Sequence, residues 1–272
     1  MPIRVATLNI WNRMAPWEQR LAAIRAGVRA IDPDVLGLQE VVRLGGAGVP
    51  AGATFDQAAL IAEGLGYQVA FGKNDASDYP MGNAILSRWP ITRTRVSPLP
   101  RAGTDEHRSL LSAELASPYG AIYVFCTHLN WRLHEGHVRE VQVRYVAETI
   151  ASVTPDGAFP PILLGDLNAE PEADEIRFLR GLTSLGGARV YFADAYGLAG
   201  DPAGRAPGAT YARRNPYAAP LREPDRRIDY VFVRGPDEGG RGEPLEAALC
   251  FDAPVDGVYP SDHFGVVATL ST

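Results

Sequence analysis

Short apolar runs that end on a polar or charged side chain recur along this sequence, and they constrain its fold more than any other feature. Val5-Ala6-Thr7-Leu8 ends on Asn9, Val35-Leu36-Gly37-Leu38-Gln39 on Glu40, and Ile122–Thr127 on His128. Pro161–Gly165 ends on Asp166, with Asn168 two positions later. Asp229 lies inside Arg227–Phe232, and Asp262 and His263 precede the last run, Val266–Leu270. Runs of about four to eight apolar residues, rich in branched and aromatic side chains, read as strands. On this basis strands are expected at Ile3–Leu8, Val35–Gln39, Asn83–Ser87, Leu111–Leu115, Ile122–Thr127, Ile162–Leu164, Ile228–Val233 and Val266–Leu270. Leu111-Ser112-Ala113-Glu114-Leu115 shows the clearest alternation between an inner and an outer face.

Helical spacing lies between these runs. Glu18–Ile31 places Leu21, Ile24, Val28 and Ile31 three and four residues apart, and Asp32-Pro33 ends it. Val138–Ala151 carries the stripe Val138, Val141, Tyr145 and Thr149/Ile150. Phe55–Leu65 and Asp174–Leu185 are two further helices. Strands with interspersed helices predict sheets covered by helices. Loops rich in Gly, Pro and Arg are expected over 43–53, 197–208 and 215–224. The strand signal resumes after each, so none reads as an interdomain linker. No repeat of 20–50 residues, the solenoid and propeller range, is visible, and the 272 residues are expected to form a single domain, 1–272.

Composition narrows the function classes. The formal charge of −6 argues against a broad, sequence-independent grip on nucleic acid, although a local basic groove leaves nucleic acid open as a partner. Lys73 is the only lysine, so the basic residues are almost all Arg, the side chain that holds phosphate oxygens bidentately; a GC-rich coding bias gives the same composition. Cys126 and Cys250 make neither a disulfide framework nor a metal-binding spacing. No run approaches the roughly 18 apolar residues of a membrane span. The first residues enter a strand without a signal-peptide pattern, and a cytoplasmic location is the default expectation.

Polar residues placed repeatedly where apolar strands emerge are what a cleft at one end of a sheet requires. Singly, each has a plainer reading: Asn or Asp at a strand end is a turn or helix cap, and Asp166-Leu167-Asn168 before Ala169 fits one. The set carries more weight than its members. His134-x-x-His137 has helical spacing but no evident third ligand, and reads as a solvated helix start.

The ordered series Thr7-Leu8-Asn9, Leu38-Gln39-Glu40, Gly82-Asn83-Ala84-Ile85-Leu86-Ser87, Thr127-His128, Gly165-Asp166-Leu167-Asn168, Ile228-Asp229-Tyr230 and Ser261-Asp262-His263 resembles the endonuclease/exonuclease/phosphatase superfamily. The resemblance runs from about residue 3 to 270. No single tripeptide is specific, but the full set in this order is. It implies an α/β fold of the α+β type: a four-layer sandwich of two packed, mainly antiparallel β-sheets flanked by helices, with the site in loops at one end. It also implies a phosphate-ester substrate and Mg²⁺, or Mn²⁺ with the same preference for oxygen ligands. Glu40 would be the main metal ligand, with Asn9 and Asp262 beside it. Asp166 would position or deprotonate the attacking water and Asn168 would donate to a phosphate oxygen. His263 would hydrogen-bond the phosphate with Asp229 fixing its tautomer, and His128 would contact the phosphate or the leaving oxygen; which of Asp166 and His263 is the base stays open.

A phosphodiesterase acting on a small, lipid-derived or nucleic-acid ester is the first reading. A phosphomonoesterase of the inositol-phosphatase kind and a non-catalytic binding module on the same scaffold are the alternatives. Secreted deoxyribonucleases of the family carry an acidic partner near the segment that reads Gly-Asn-Ala-Ile here, which points away from a deoxyribonuclease I-like enzyme. Arg108, Asn83, Asn215 and Trp131 are the candidate substrate contacts. Trp11 is a candidate pocket floor, and the cation–aromatic segment 210–217 with Arg222, Arg226 and Arg227 would grip a nucleotide or a multiply phosphorylated molecule. The oligomeric state is not encoded in any feature of the sequence.

Overall fold

A computed structural model gives the architecture and describes residues 1–45, 55–74, 80–201 and 208–272. The strands are β1 (Ile3–Asn9), β2 (Val35–Leu44), β3 (Phe55–Asp56), β4 (Gln68–Lys73), β5 (Met81–Ser87), β6 (Ile91–Pro98) and β7 (Ser109–Ser117). They continue with β8 (Gly120–His128), β9 (Ile162–Asp166), β10 (Ala193–Asp194), β11 (Asp229–Val233), β12 (Pro244–Cys250) and β13 (Gly265–Leu270). The helices are α1 (Trp17–Ile31), α2 (Gln57–Ala62), α3 (Gly136–Val153), α4 (Asp174–Leu179) and α5 (Ala195–Ala199), with a 3₁₀ turn at Ala219–Leu221.

The strands form two sheets. One runs β12-β13-β1-β2-β5-β4 with β3 paired onto β2, and the other runs β10-β11-β9-β8-β7-β6. Pairing is antiparallel except for β1 with β2 and β8 with β9. Parallel neighbours need a crossover, and α1 and α3 supply the two. A parallel pair also brings the C-terminal ends of both strands to one edge. Asn9, Glu40, His128 and Asp166 therefore emerge at the same end of the sandwich, and the antiparallel β11 and β13 begin there.

Burial explains why the strand runs are apolar on both faces. Ile3 and Val5 of β1, Val35 of β2, Val124 and Cys126 of β8, and Ile162 and Leu164 of β9 fill the space between the sheets. Ala6, Leu8, Leu36 and Leu38 point the other way, onto Ile24 and Val28 of α1 and Ala58 and Ile61 of α2. Phe125, Leu163 and Phe232 likewise pack under Val143, Val146 and Ile150 of α3 and Ile176 of α4. The result is helix, sheet, sheet, helix, as the resemblance implied. Among the described residues, no helix is long and apolar enough to cross a membrane.

Several expectations are corrected in detail. Phe55 and Asp56 are not helical: they pair with Leu44 and Arg43, and the Asp56 carboxylate accepts the Ala59 N–H at 3.0 Å to start α2 at Gln57. The helix expected to reach Leu185 stops at Leu179, and Gly181 follows with a left-handed φ of 76°. On α3, Val141 is exposed, while Arg139 and Gln142 are buried with the apolar stripe. The loop expectations at 43–53 and 197–208 lose Arg43 and Leu44 to β2 and Gly197–Ala199 to α5; positions 46–54 and 202–207 lie outside the described residues. Strands β6 and β12 escaped prediction because they border the sheets and each has a single fully buried residue. Their sequences lack the buried-strand pattern.

The sheets approach closely at Gly37, where a Cβ would stand 2.9 Å from Leu164 Cβ and 3.3 Å from Cys126 Sγ. Gly37→Val overpacks this contact, and urea unfolding should show a loss of about 1–3 kcal/mol, the usual cost of extra volume in a filled core.

Candidate active site

The site is assembled from both sheets. Glu40 occupies a β-bulge: the β2–β5 register shifts between Leu38 and Val41, and Glu40 has a φ of 58°. A left-handed backbone costs a non-glycine residue about 1–2 kcal/mol, and here it turns the carboxylate out of the ladder and into the cleft. Asn12 Nδ2 donates to Glu40 Oε2 at 2.8 Å, and Asn9 Nδ2 donates to Oε1 at 3.3 Å. The same Asn9 Nδ2 donates to Asp166 Oδ2 at 3.0 Å, so one amide joins carboxylates from the two sheets. Its Oδ1 accepts the Trp11 N–H at 2.9 Å.

In the second sheet, register places His128 opposite Asp166 and Asp166 opposite Asp229, a row across β8, β9 and β11. His263 approaches from the other sheet. Its Nδ1 lies 2.9 Å from Asp229 Oδ2 and its Nε2 lies 3.8 Å from Asp166 Oδ2, while His128 Nε2 is 3.4 Å from that same oxygen. Asp166 thus sits between two imidazoles. Its Oδ1 accepts the N–H of Asn168, whose left-handed φ of 51° makes the turn, and Asn168 Nδ2 donates to Leu129 O at 3.1 Å.

These contacts separate the charges of the two histidines. Burial, reinforced by the Arg108 and His263 cations, drives the pKa of His128 well below its ordinary value, so it is neutral at pH 7. Burial acts in the same sense on His263 but is outweighed by Asp229, Asp166 and Asp262, and His263 is held well above its ordinary value as a cation. Burial and then the Asp229 charge push Asp166 up to about 7. Burial, with Glu40 nearby, raises Asp262 to about 6. Asp229 is fully buried, and its Oδ1 has no hydrogen-bond partner.

A cleft of about 610 Å³ opens over this centre. Glu40, Asp262, His128, Asp166, Asn168 and His263 line it, with Trp11, Trp131, Arg108 and Arg226 around them. Asn9 and Asp229 lie just beneath, buried. Trp131 is 54% exposed, whereas Trp11 is packed on Tyr217 with ring centroids 4.9 Å apart. Arg108 is buried at the wall. Glu106 accepts from its Nη2, and its Nε and Nη1 have no partner.

Two expected substrate contacts are not brought to the cleft. Asn83 is buried with its Nδ2 on Ser109 O, joining β5 to β7 across the sandwich. Asn215 Nδ2 donates to Ser261 O at 2.8 Å, which fastens its loop to the segment carrying Asp262. Arg227 is also structural, its guanidinium bonded twice to Asp194 at 2.8 and 2.9 Å. His134 and His137 are exposed, as a solvated helix start requires, whereas His107 lines the cleft without having been singled out. Asn12 and Arg20 were also missed. Arg20 reads as a polar position on α1, yet it is fully buried and donates to the carbonyls of Ile10, Trp11, Asn12, Met14 and Pro260, tying the loop after β1 to the segment before Asp262.

A helix–sheet–sheet–helix sandwich with carboxylates, amides and imidazoles from both sheets at one end defines a class of hydrolytic scaffold. The chain belongs to the Endonuclease/Exonuclease/phosphatase family, whose sequence pattern matches residues 6–263. Solved structures with the same fold include D. rerio TDP2 complexed with single strand DNA product, at 21% identity and a TM-score of 0.76, covering 100% of this chain and 99% of that one. The human Nocturnin catalytic domain with bound sulfate anion is similar at 21% identity and a TM-score of 0.72, covering 99% and 94%. The endonuclease/exonuclease/phosphatase from Beutenbergia cavernae DSM 12333 is 28% identical with a TM-score of 0.70, covering 99% of this chain and 71% of that one. No curated protein matches the sequence.

Removing the Arg20 guanidinium takes its donor from the carbonyls of Ile10, Met14 and Pro260, while Trp11 O and Asn12 O keep the Met14 N–H and the Gln57 amide. Arg20→Met should therefore lower stability by about 3–5 kcal/mol, the scale of breaking a buried charged network. Denaturant titration checks this, and a loss below 1 kcal/mol would mean that the loop carbonyls find other donors.

Proposed function

We propose that the protein is a divalent-metal-dependent phosphoesterase that hydrolyses a phosphodiester by in-line attack of water. One observation carries the reading: a buried carboxylate, Asp166, stands between a neutral and a cationic imidazole and shares an amide with a cleft-facing carboxylate, Glu40.

The donors present suit a hard divalent cation. Glu40 and Asp262 both face the cleft with oxygen atoms, and the Glu40 charge raises the cost of charging Asp262, which a cation between them would relieve. Mg²⁺ or Mn²⁺ would be held by Glu40 and Asp262 with Asn9 alongside. Asp166, Asp229 and His263 also offer ligand atoms within 4.8 Å of one another, but Asp229 Oδ2 and His263 Nδ1 are engaged with each other and Asp229 does not reach the cleft. The oxygen-rich Glu40 side is therefore the better cation site. The bound cation would offset the charge of the phosphate oxygens and stabilise the leaving oxygen.

The chain's own groups supply the rest. The water oxygen bonds to phosphorus as the opposite P–O bond breaks, and its proton passes to Asp166, whose pKa near 7 suits a base. His263, kept charged and oriented by Asp229, donates from Nε2 to a phosphoryl oxygen. The neutral His128 donates to the leaving oxygen. One N–H of the Asn168 amide is used on Leu129 O, and its second N–H serves the phosphate. Arg108 adds a cation at the wall, and exposed Trp131 offers a surface for a base or another flat group. The single-strand DNA complex of zebrafish TDP2 makes a nucleic-acid ester one natural test substrate. The two unpartnered nitrogens of Arg108 favour a second reading, a phosphomonoesterase, because a terminal phosphate carries more charge to meet them.

Turnover of bis(p-nitrophenyl) phosphate with Mg²⁺ or Mn²⁺, abolished by chelation, is the expected result; preference for p-nitrophenyl phosphate would select the monoesterase, and no turnover of any phosphate ester would leave a binding module. Asp166→Asn and His263→Ala should each lower kcat by about 10²-fold or more, and near-normal rates would remove those roles. Glu40→Gln should shift the metal titration to higher concentration with little change in unfolding midpoint, so an unshifted titration would count against it as a ligand.

A further inference from the structure

Arg226 is placed and wired unlike its neighbours. Arg213 spends its guanidinium on the carbonyls of Arg222 and Glu223, Arg214 pairs with Asp252, and Arg227 is bonded twice to Asp194. Arg226 is 93% buried yet lines the cleft; Glu223 accepts from its Nη2, and its Nε has no partner. A buried guanidinium left partly unsatisfied costs free energy that a bound anion would recover.

Its position is fixed relative to the reaction centre. Arg226 and Tyr211 exchange backbone hydrogen bonds at 2.8 and 2.9 Å, and Tyr211 is bridged in turn to His263, with ring centroids 5.0 Å apart. The Arg226 guanidinium lies 5.6 Å from the Tyr211 ring. Arg108 is built the same way, with one nitrogen held by a nearby glutamate and others unpartnered, but it stands on the opposite side. It precedes β7, whereas Arg226 precedes β11, and β8 and β9 lie between. At about 4.8 Å per strand the two chain positions are on the order of 14 Å apart, with Asp166 between them.

We infer that Arg226, tethered by Glu223 and backed by Tyr211, forms a second anion subsite, so that the preferred substrate carries another phosphate group a short linker away from the scissile one. Glu223 sets the direction of the guanidinium rather than neutralising it fully, because each of the two is left with further hydrogen-bonding capacity. The inference deepens the phosphoesterase reading and rests on it for the position of the first phosphate. The second phosphate has two natural sources, the next phosphate of a nucleotide chain or the second phosphate of a small bisphosphorylated molecule.

Calorimetric titration with matched probes tests the subsite without depending on turnover. One pair is propane-1-phosphonate and propane-1,3-bisphosphonate; the other is the thymidine dinucleotide TpT without and with a 5′-phosphate. The second phosphate should tighten binding by about tenfold or more in at least one pair, the scale of a charge-assisted hydrogen bond, and the responding pair names the source. In Arg226→Gln that gain should vanish, and in Arg226→Lys part of it should remain. Equal binding of both members of both pairs by the wild-type protein would overturn the proposal whatever the variants do, as would a gain that persists in Arg226→Gln. Failure to turn over either bis(p-nitrophenyl) phosphate or p-nitrophenyl phosphate would instead strike the phosphoesterase reading, leaving a two-anion preference to stand as binding.

Discussion

The bond from Asn9 to Asp166 is the point at which two sheets become one site. Asn9 ends β1 in the first sheet, Asp166 ends β9 in the second, and the same amide reaches Glu40. This contact exists only because the sheets pack face to face with little slack: small residues such as Gly37 admit Leu164 and Cys126 from the other side. Interiors are close-packed, so a shift of either sheet would be felt at the carboxylates. Core packing and site geometry are therefore one constraint.

That constraint concentrates charge where water is scarce. Asp166, Asp229, Asp262 and His263 are all buried, and an unpaired charge in such a place would be neutralised by a shifted pKa. The arrangement instead pairs His263 with Asp229 and leaves Asp166 between an imidazolium and a neutral imidazole. The two histidines thus differ in charge because burial, reinforced by Arg108, prevails at His128, whereas three carboxylates outweigh it at His263. The division of labour proposed for them, donor to phosphate and donor to leaving oxygen, rests on their surroundings rather than on residue type.

The arginines divide on the same principle. Arg20 and Arg227 are wholly committed to carbonyls or a carboxylate within the protein, and they hold loops in place. Arg108 and Arg226 are also buried but line the cleft and keep unpartnered nitrogens. A buried donor without a partner is rare in a folded protein, so an unpartnered nitrogen on a cleft-lining arginine marks a side chain with capacity left for a ligand.

The local pattern of residues was enough to read the strands that carry the site. Buried strands are apolar on both faces, so β1, β2, β8, β9, β11 and β13 announce themselves, and the polar residue that closes or opens each marks where the chain leaves the core. The order of those residues also carried the family. Edge strands β6 and β12 were not legible, because a strand with a single fully buried residue has no apolar signature. Asn83 and Asn215 look like site residues from their neighbours, but the register of β5 and the folding of the 215–224 loop turn both inward to other partners. Arg20 and Asn12 carry no signal at all in the sequence, since their roles consist of contacts to backbone and side chains brought near by the fold. The sequence by itself determined which segments are buried and which chemical groups stand at their ends, because burial and periodicity are local properties. Only the tertiary structure decided which of those groups meet, which imidazole is charged and which arginine has a nitrogen to spare, because each depends on distances between residues far apart in the chain.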